Sequence, residues 1–510
     1  MRTKKAIINT FAGLLYEAVA LICGMILPRL ILSAFGSSYN GITTSITQFL
    51  SVIALLRSGI GGVTRAALYK PLLEKDTVEI SKILRATEIF MRRVALIFLG
   101  FLIIFSFIYP VFVNEEFDWF FSASLVLILG ISTFTQYYFG FTYQMLLNAD
   151  QRQCVTSFVH IITTVLNTIV AAVLIRFGAG IHAVKLGSAF CFALNPIIIS
   201  SYTKRKYRLI HNVEPDNHAI SQRWDAFAHQ VANFVNTNTD VMVLTVFTNI
   251  REVSVYSVYY LVINGLSRLL RNTIPGVAAA FGDMIAKGQT ELMRKNFKVF
   301  ELVVYSLSTV LFVTCGLMLV PFVMIYTNGV YDVDYQRPLF AIIISVAAFF
   351  GCARIPYQHV VEAAGHYRQT KRGAFIEALL NISLSVISVF KLGLIGVSIG
   401  TLAATFFRTV QYATYLSKNI IIRSNWIFIK HIVMSFLITI ATYYIYSMLP
   451  LPKITNYYQW TISAFICFVV VLVLQVVFSL VFYREDSKNL IKKLYGTLER
   501  RRKNETSEKN

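Results

Sequence analysis

The sequence predicts an all-α integral membrane protein with about fourteen transmembrane helices. Three observations predict this fold class. The 510 residues are 56% hydrophobic and 14% charged, whereas soluble domains average about 25% charged residues. The mean hydropathy is +0.61. Apolar runs near 20 residues recur along the chain, and lysine and arginine collect in alternate connections between them, as in membrane proteins.

The apolar runs give the elements in order. A helix rises 1.5 Å per residue, so about 20 residues cross the roughly 30 Å of hydrocarbon in a bilayer. The predicted spans are 8–32, 42–63, 94–112, 120–141, 155–175, 183–200, 228–247, 254–275, 299–325, 339–361, 374–390, 394–416, 427–449 and 459–482.

The charge distribution predicts the orientation. The net charge of +21 would suggest nucleic acid in a soluble protein, but here it follows the connections. The segments after the second, sixth and eighth runs and the tail after 484 are basic, whereas the intervening connections each hold about one basic residue. Basic connections mark the cytoplasmic side. We therefore expect both termini in the cytoplasm, an even number of spans, and no nucleic-acid partner.

An internal repeat predicts two lobes. The segment Leu55-Leu56-Arg57 recurs as Leu269-Leu270-Arg271, a shift of 214 residues, and the same shift relates Tyr143-Gln144 to Tyr357-Gln358 and Asn167 to Asn381. Each repeat holds six helices, so both enter the membrane with one orientation and are related by a pseudo-two-fold axis along the membrane normal. The predicted domains are a first lobe (1–205), a cytoplasmic linker (206–225), a second lobe (226–418), two additional helices (419–483) and a basic cytoplasmic tail (484–510).

Several motifs resemble a known family. Two six-helix lobes followed by two helices, together with local matches, are similar to the polysaccharide and oligosaccharide-lipid flippases of the multidrug/oligosaccharidyl-lipid/polysaccharide (MOP) exporter superfamily. The local matches are Pro28-Arg29, Phe35-Gly36, Tyr39-Asn40-Gly41, Arg57-Ser58-Gly59, Thr239-Asp240 and Val253-Ser254-Val255-Tyr256-Ser257.

The resemblance implies a function. Such proteins move undecaprenyl-pyrophosphate-linked sugars from the inner to the outer leaflet of the bacterial cytoplasmic membrane. It implies lipid-linked oligosaccharide and membrane lipid as partners, with a glycan polymerase or glycosyltransferases as candidate protein partners. Lipid II flippases of the superfamily carry cavity-facing arginines in helices one, two and eight, and Arg29, Arg57 and Arg271 occupy the matching helices here. Other peptidoglycan-flippase signatures are missing from the first helix, which argues against lipid II as the cargo.

Polar stripes within the spans support a cationic cavity. On the run 254–275, six polar side chains lie within about 60° of one line at 100° per residue: Ser257, Tyr260, Asn264, Ser267, Arg268 and Arg271. The run 42–63 carries a similar stripe that includes Gln48. The candidate substrate-binding residues are Arg29, Arg57, Arg268, Arg271, Asn264 and Gln48. The alternative interpretation is that the arginines snorkel to the membrane surface.

The remaining titratable residues carry weaker signals. Glu17 and Asp240 lie within spans and either pair with arginines or couple transport to protons or sodium. Arg354 and Arg408 stand near helix ends with fewer polar neighbours in sequence, so we expect them to matter less. The histidines and the six cysteines lack metal-ligand spacing, and no phosphate-binding Gly-x-x-x-x-Gly-Lys-Ser/Thr motif is present. We therefore expect no metal and no cofactor.

Two other function classes compete. A cation-coupled drug exporter of the same superfamily would favour acidic residues in its cavity, whereas the charges within these spans are mainly basic. A membrane glycan polymerase or ligase usually carries a long extracytoplasmic domain, but the predicted outer connections are short. The sequence therefore favours a flippase over an exporter and over an enzyme.

Overall fold

The described residues are mostly helical, with no β-strand among them. A computed structural model describes residues 2–113, 115–210, 213–216, 218–220, 234, 238–272, 275–450 and 452–490. Twelve helices in this part of the chain are long and apolar enough to cross a membrane. The predicted all-α membrane fold is confirmed.

The described residues form a succession of helices. In chain order they are α1 (Arg2–Phe35), α2 (Ser37–Leu50), α3 (Ile53–Glu74), α4 (Thr77–Ile108), α5 (Pro110–Val113), α6 (Trp119–Thr135), α7 (Phe141–Ala149), α8 (Gln153–Arg176), α9 (Ile181–Tyr207), α10 (Asn238–Phe247), α11 (Ile250–Asn272), α12 (Pro275–Ala286), α13 (Thr290–Tyr326), α14 (Pro338–Ala353), α15 (Ile355–Ala363), α16 (Tyr367–Leu392), α17 (Leu394–Asn419), α18 (Trp426–Met448) and α19 (Tyr457–Phe482). A π-helical turn, Gln136–Gly140, joins α6 to α7.

Two predicted spans have no counterpart among the twelve membrane-length helices of the described residues. The run 42–63 falls on two helices, α2 and α3, that are separated at Ser51 and Val52. The Ser51 hydroxyl donates to the Gln48 carbonyl at 2.5 Å, a local bond that competes with the helical ladder and bends helices. Of the run 228–247, the described residues 234 and 238–247 are helical, and the rest lies outside the described residues.

The chain packs into two compact units. Unit 1 is Met1–Leu261 with Thr327–Asp334 and Val389–Leu394, and unit 2 is Val262–Tyr326, Tyr335–Ser388 and Ile395–Asn510. Each has its own buried apolar clusters, for example around Leu68 and Leu146 in unit 1 and around Phe297 and Tyr357 in unit 2. Because these units group residues by packing, the repeat-based domain boundaries stay a prediction.

Repeat-related glycines make the same kind of contact inside each unit. A Cβ added to Gly187 of α9 would lie 2.9 Å from the Leu174 side chain of α8. A Cβ added to Gly400 of α17 would lie 2.3 Å from Ser385 Oγ of α16. Small residues at such crossings let membrane helices approach closely. At these two glycines the packing of α8 on α9 therefore resembles that of α16 on α17.

Close packing of α2 against the start of α11 depends on Gly41. A Cβ at this position would lie 2.0 Å from the Ile250 carbonyl oxygen. We expect Gly41→Ala to force the two backbones apart and destabilise the protein by about 1–3 kcal/mol, the usual cost of overpacking. Gly100→Ala on α4 is the matched control, because nothing lies within 4 Å of the added Cβ. Thermal unfolding in detergent measures both, and equal melting temperatures would contradict the contact.

Candidate functional site

Two predicted arginines lie together on α11. The side chains of Arg268 and Arg271 are exposed, Asn264 one turn before Arg268 is half-buried, and Ser267 is buried. Neither arginine pairs with a carboxylate within the described part of the chain. Because guanidinium groups stay charged and bind phosphate oxygens two at a time, this end of α11 presents two uncompensated positive charges to an anionic ligand.

The Arg271 side chain has a defined neighbour within unit 2. The Arg271 and Ser267 side chains approach the thiol of Cys352, which is fully buried on α14. This packing fixes one side of the α11 polar stripe against α14. The opposite side stays open, since Arg268 and Arg271 retain exposed side chains. The α11 stripe is thus anchored along one edge and accessible along the other.

Arg29 occupies a different environment in unit 1. It lies near the end of α1, and its Nη2 donates to the Asn328 carbonyl oxygen at 2.7 Å. Its Nη1 is buried and has no hydrogen-bond partner among the described residues. One nitrogen therefore holds the segment 327–334 in place, while the other remains available to an acceptor.

Gln48 belongs to a hydrogen-bonded seam rather than to an open face. Its amide nitrogen donates to Asn238 Oδ1 of α10, and Ser51 Oγ donates to the same oxygen at 2.9 Å. Further along the seam, Asn40 Nδ2 donates to Ser254 Oγ of α11 at 2.8 Å. Much of the polar stripe predicted on the run 42–63 is therefore used in helix packing within unit 1. The side chain of Arg57, on α3, lies outside the described residues.

The two candidate acids differ in their surroundings. Asp240 on α10 is buried and accepts a hydrogen bond from the Tyr256 hydroxyl at 2.9 Å. Glu17 on α1 is half-buried and makes no ion pair with a described residue. A role of either residue in ion coupling stays a prediction.

Near Arg29, side-chain hydrogen bonds and an ion pair connect several segments of unit 1. Ser37, the first residue of α2, donates to Asp332 from its backbone N at 2.7 Å and from its Oγ at 2.6 Å. Arg251 Nε lies 3.3 Å from Glu116 Oε2, and its Nη1 donates to the Asp332 carbonyl at 3.2 Å. The segment 327–334 thereby connects α2 with the beginning of α11.

The expectation that Arg354 and Arg408 have little polar company is wrong. Both pair with Glu377 of α16, Arg354 Nη1 at 2.7 Å and Arg408 Nε at 3.4 Å. Arg408 also donates to the Thr370 carbonyl at 2.9 Å and the Tyr412 hydroxyl at 2.8 Å. Glu377 and Arg408 are buried. The three partners lie at the junction of α14 and α15, on α16 and on α17, so no local sequence pattern indicates the cluster.

Sequence reasoning also missed a second buried carboxylate. Glu301 of α13 is fully buried and accepts from both terminal nitrogens of Arg423 at 2.6 Å and from the Tyr357 hydroxyl at 2.5 Å. His431 Nε2 of α18 lies 3.8 Å from the same carboxylate, with its ring between those of Tyr305 and Tyr483. The available signal was an acidic residue inside an apolar run.

An apolar groove lies in unit 2 among α13, α14 and α18. Its volume is about 590 Å³, and its lining includes Phe312, Phe349, Phe436 and Tyr443. Phe436 and Tyr443 are exposed large hydrophobic side chains. On a helix of a membrane span, such a surface can accommodate a hydrocarbon chain without desolvating polar groups.

The described residues hold no group of three or more His, Cys, Asp or Glu side chains that could bind a metal ion. The His160 ring contacts the Asn195 amide at 2.5 Å and packs beside the Tyr16 ring at 5.4 Å between centroids. His182 contacts Ser124 Oγ at 3.0 Å. These two histidines are packed among polar and aromatic neighbours.

Comparisons with known proteins identify the fold. No family model matches the chain, and no curated protein matches it in sequence. Among solved structures, the lipid II flippase MurJ in an inward closed conformation is similar with a TM-score of 0.71 and 16% identity, over 94% of this chain and 99% of that one. The chain has the MurJ and MATE fold.

Two MATE transporters support the same conclusion. The eukaryotic transporter AtDTX14 is similar with a TM-score of 0.55 and 16% identity, over 83% of this chain and 96% of that one. An inward-facing multidrug resistance MATE family transporter of the MOP superfamily is similar with a TM-score of 0.54 and 13% identity, over 79% of this chain and 96% of that one. At these identities the likeness establishes the fold and leaves the substrate to the chemistry of the site.

Proposed function

We propose that this protein is a flippase. It moves undecaprenyl-pyrophosphate-linked oligosaccharide from the inner to the outer leaflet of a bacterial cytoplasmic membrane, by alternating access through a cationic cavity, for cell-surface polysaccharide synthesis. The observation that carries the proposal is the pair Arg268 and Arg271, exposed on a membrane-spanning helix with no described carboxylate partner, in a chain with the MurJ and MATE fold.

The charges suit a pyrophosphate. An arginine placed within a bilayer costs about 2.5–3.5 kcal/mol on insertion scales, so such residues are rare unless they act on a ligand, an ion path or a partner charge. Pyrophosphate carries about two negative charges near neutral pH, and two arginines one turn apart can bind several of its oxygens at once. Arg29 and Arg57, which belong to unit 1, stay sequence-based candidates for the same role.

The two ends of the substrate have opposite needs. The pyrophosphate and the sugar hydroxyls need polar partners, whereas the polyprenyl chain is stable in hydrocarbon. We assign the polyprenyl chain to the apolar groove among α13, α14 and α18. The hydrophobic effect does not oppose this placement, because the groove lining is largely apolar.

The competing function is a cation-coupled small-molecule exporter of the MATE type. It would need exposed carboxylates to attract organic cations. The two candidate ion-coupling acids do not meet this need: Asp240 is buried and accepts from a tyrosine hydroxyl, and Glu17 is half-buried on α1. The exposed charges on α11 have the opposite sign. These observations favour the flippase, which acts without covalent chemistry on its cargo.

A vesicle experiment separates the two functions. Purified protein is reconstituted with an undecaprenyl-pyrophosphate oligosaccharide that carries a fluorophore on its sugar, and an impermeant reductant then quenches the outer leaflet. In protein-free vesicles quenching stops when that leaflet is consumed, and we expect it to continue to near completion with the protein. Lipid II and a fluorescent organic cation serve as alternative cargoes. Transport of the cation without movement of the lipid would establish the exporter instead.

A further inference from the structure

A polar cavity lies entirely inside unit 1. Its volume is about 420 Å³, and it is bordered by α1, α2, α6, α8 and α9. This volume falls within the roughly 300–1,000 Å³ of small-molecule sites. Its lining is unusually polar for the interior of membrane-spanning helices, with hydroxyl and amide side chains that include Ser51, Ser132, Thr133, Gln136, Asn167 and Ser188.

The cavity carries one positive charge. Lys185 of α9 is the charged residue among its described lining, and no described carboxylate pairs with it. Two further groups are unsatisfied. Asn167 Oδ1 and Ser188 Oγ are buried without a hydrogen-bond partner in the described structure, and these residues are 3% and 9% exposed. Buried polar groups normally have partners because an unmade hydrogen bond costs free energy. A polar ligand in the cavity would supply a partner to the ammonium.

The fold itself does not require this polarity. A shift of 214 residues takes Ser132, Thr133 and Gln136 to apolar positions of unit 2, namely Val346, Ala347 and Phe350. The 213-residue shift that relates Gly187 to Gly400 takes Lys185 to Ser398. Asn381, which corresponds to Asn167, has a partner, because its Oδ1 accepts from Ser385 Oγ at 3.1 Å. Related helices thus pack in unit 2 without these polar groups, so packing alone does not account for them in unit 1.

Charge and functional groups define the ligand. One ammonium balances one negative charge, whereas pyrophosphate carries about two and is better bound by arginines. Hydroxyl and amide side chains match the hydroxyl groups of a sugar, and Tyr137 and Phe192 offer aromatic surfaces beside them. We propose that this cavity binds a sugar residue bearing one carboxylate, as a subsite for an acidic oligosaccharide. The proposal rests on the flippase function.

Binding of monosaccharides tests the subsite without transport. The full-length protein in nanodiscs is titrated with glucuronate, glucose, acetate and chloride, and binding is followed by ligand-observed NMR. A charge-assisted hydrogen bond is worth roughly tenfold or more in affinity. We therefore expect wild-type protein to bind glucuronate about tenfold more tightly than glucose, and also more tightly than acetate. Equal binding of glucuronate and glucose would overturn the proposal, and so would displacement of glucuronate by chloride or acetate at equal concentration.

Variants locate the site. Lys185→Gln should abolish the preference for glucuronate over glucose, Lys185→Arg should keep most of it, and Lys391→Gln, at an exposed position of α16, should leave it unchanged. A glucuronate preference that survives Lys185→Gln would place the site elsewhere and contradict the proposal. If Lys185→Gln fails to fold, the comparison of glucuronate with glucose on wild-type protein still tests the proposal. If the reconstituted protein flips lipid-linked glycan but shows no preference for glucuronate, the flippase function stands and the subsite proposal is rejected.

Discussion

Alanine in place of Arg423 is expected to destabilise the protein by about 3–5 kcal/mol, the range observed when one partner of a buried ion pair is removed. Glu301 is fully buried, and both terminal nitrogens of Arg423 bind its carboxylate at 2.6 Å. Arg423 also lies over the Phe297 ring, with its guanidinium carbon 4.9 Å from the centroid. Without Arg423 the carboxylate would remain in a low-dielectric interior with the Tyr357 hydroxyl as its remaining close donor.

Thermal or denaturant unfolding in detergent measures the loss. Arg294→Ala is the matched control, because Arg294 donates to the Ile422 carbonyl in the same connection but has a 43% exposed side chain. Its loss should cost about 0–1 kcal/mol, as for exposed ion pairs. Replacing both buried partners, Glu301→Leu with Arg423→Met, should recover most of the stability. If the Arg423→Ala and Arg294→Ala variants unfold at the same temperature or denaturant concentration, the ion pair contributes little to stability.

Alanine at Arg268 or Arg271 is expected to weaken binding of the lipid-linked oligosaccharide by about ten- to a hundredfold, since a hydrogen bond to a charged group is worth about 1.5–3 kcal/mol. Lysine should restore part of the affinity, because it keeps the charge but cannot bind two oxygens in one plane. Both side chains are exposed, so their removal should change the melting temperature little. Equilibrium binding to purified protein gives the affinity.

Arg372→Ala, at an exposed arginine near the start of α16, is the control for a general loss of positive charge. Its effect should be small and should disappear as salt is raised, because charges beyond a Debye length of about 10 Å are screened at 0.1 M salt. If Arg268→Ala and Arg271→Ala bind the lipid as well as Arg372→Ala does, the two arginines do not contact the pyrophosphate. Their exposed position would then reflect snorkelling.

Sequence alone predicted the membrane fold because the bilayer sets the length of each helix. Runs such as 155–175 and 459–482 fall within the observed α8 and α19. The break between α2 and α3 was not predicted. It depends on Ser51, whose hydroxyl bonds both the Gln48 carbonyl and Asn238 Oδ1 of α10. A polar stripe in sequence has the same pattern whether it lines a cavity or joins two helices.

For the charged residues, too, the position on a helix could be predicted from the sequence, but the partners could not. Positions of Arg268 and Arg271 on one stripe follow from helical periodicity, and the structure leaves both exposed. The partners of Arg354 and Arg408 could not be predicted, since Glu377 lies 23 and 31 positions away in sequence. Likewise, Glu301 and Arg423 are 122 residues apart. Pairing across such distances depends on how helices pack, and helical periodicity contains no information on that packing.

The most direct test of the cationic-cavity account compares two lipids that differ by one phosphate. The affinities of wild-type protein and Arg271→Ala are measured for the same oligosaccharide linked to undecaprenol through a pyrophosphate or a single phosphate. If Arg271 binds the pyrophosphate, wild-type protein should prefer the pyrophosphate lipid, and Arg271→Ala should lose about tenfold of that preference. An unchanged preference in Arg271→Ala would contradict recognition of the pyrophosphate by α11.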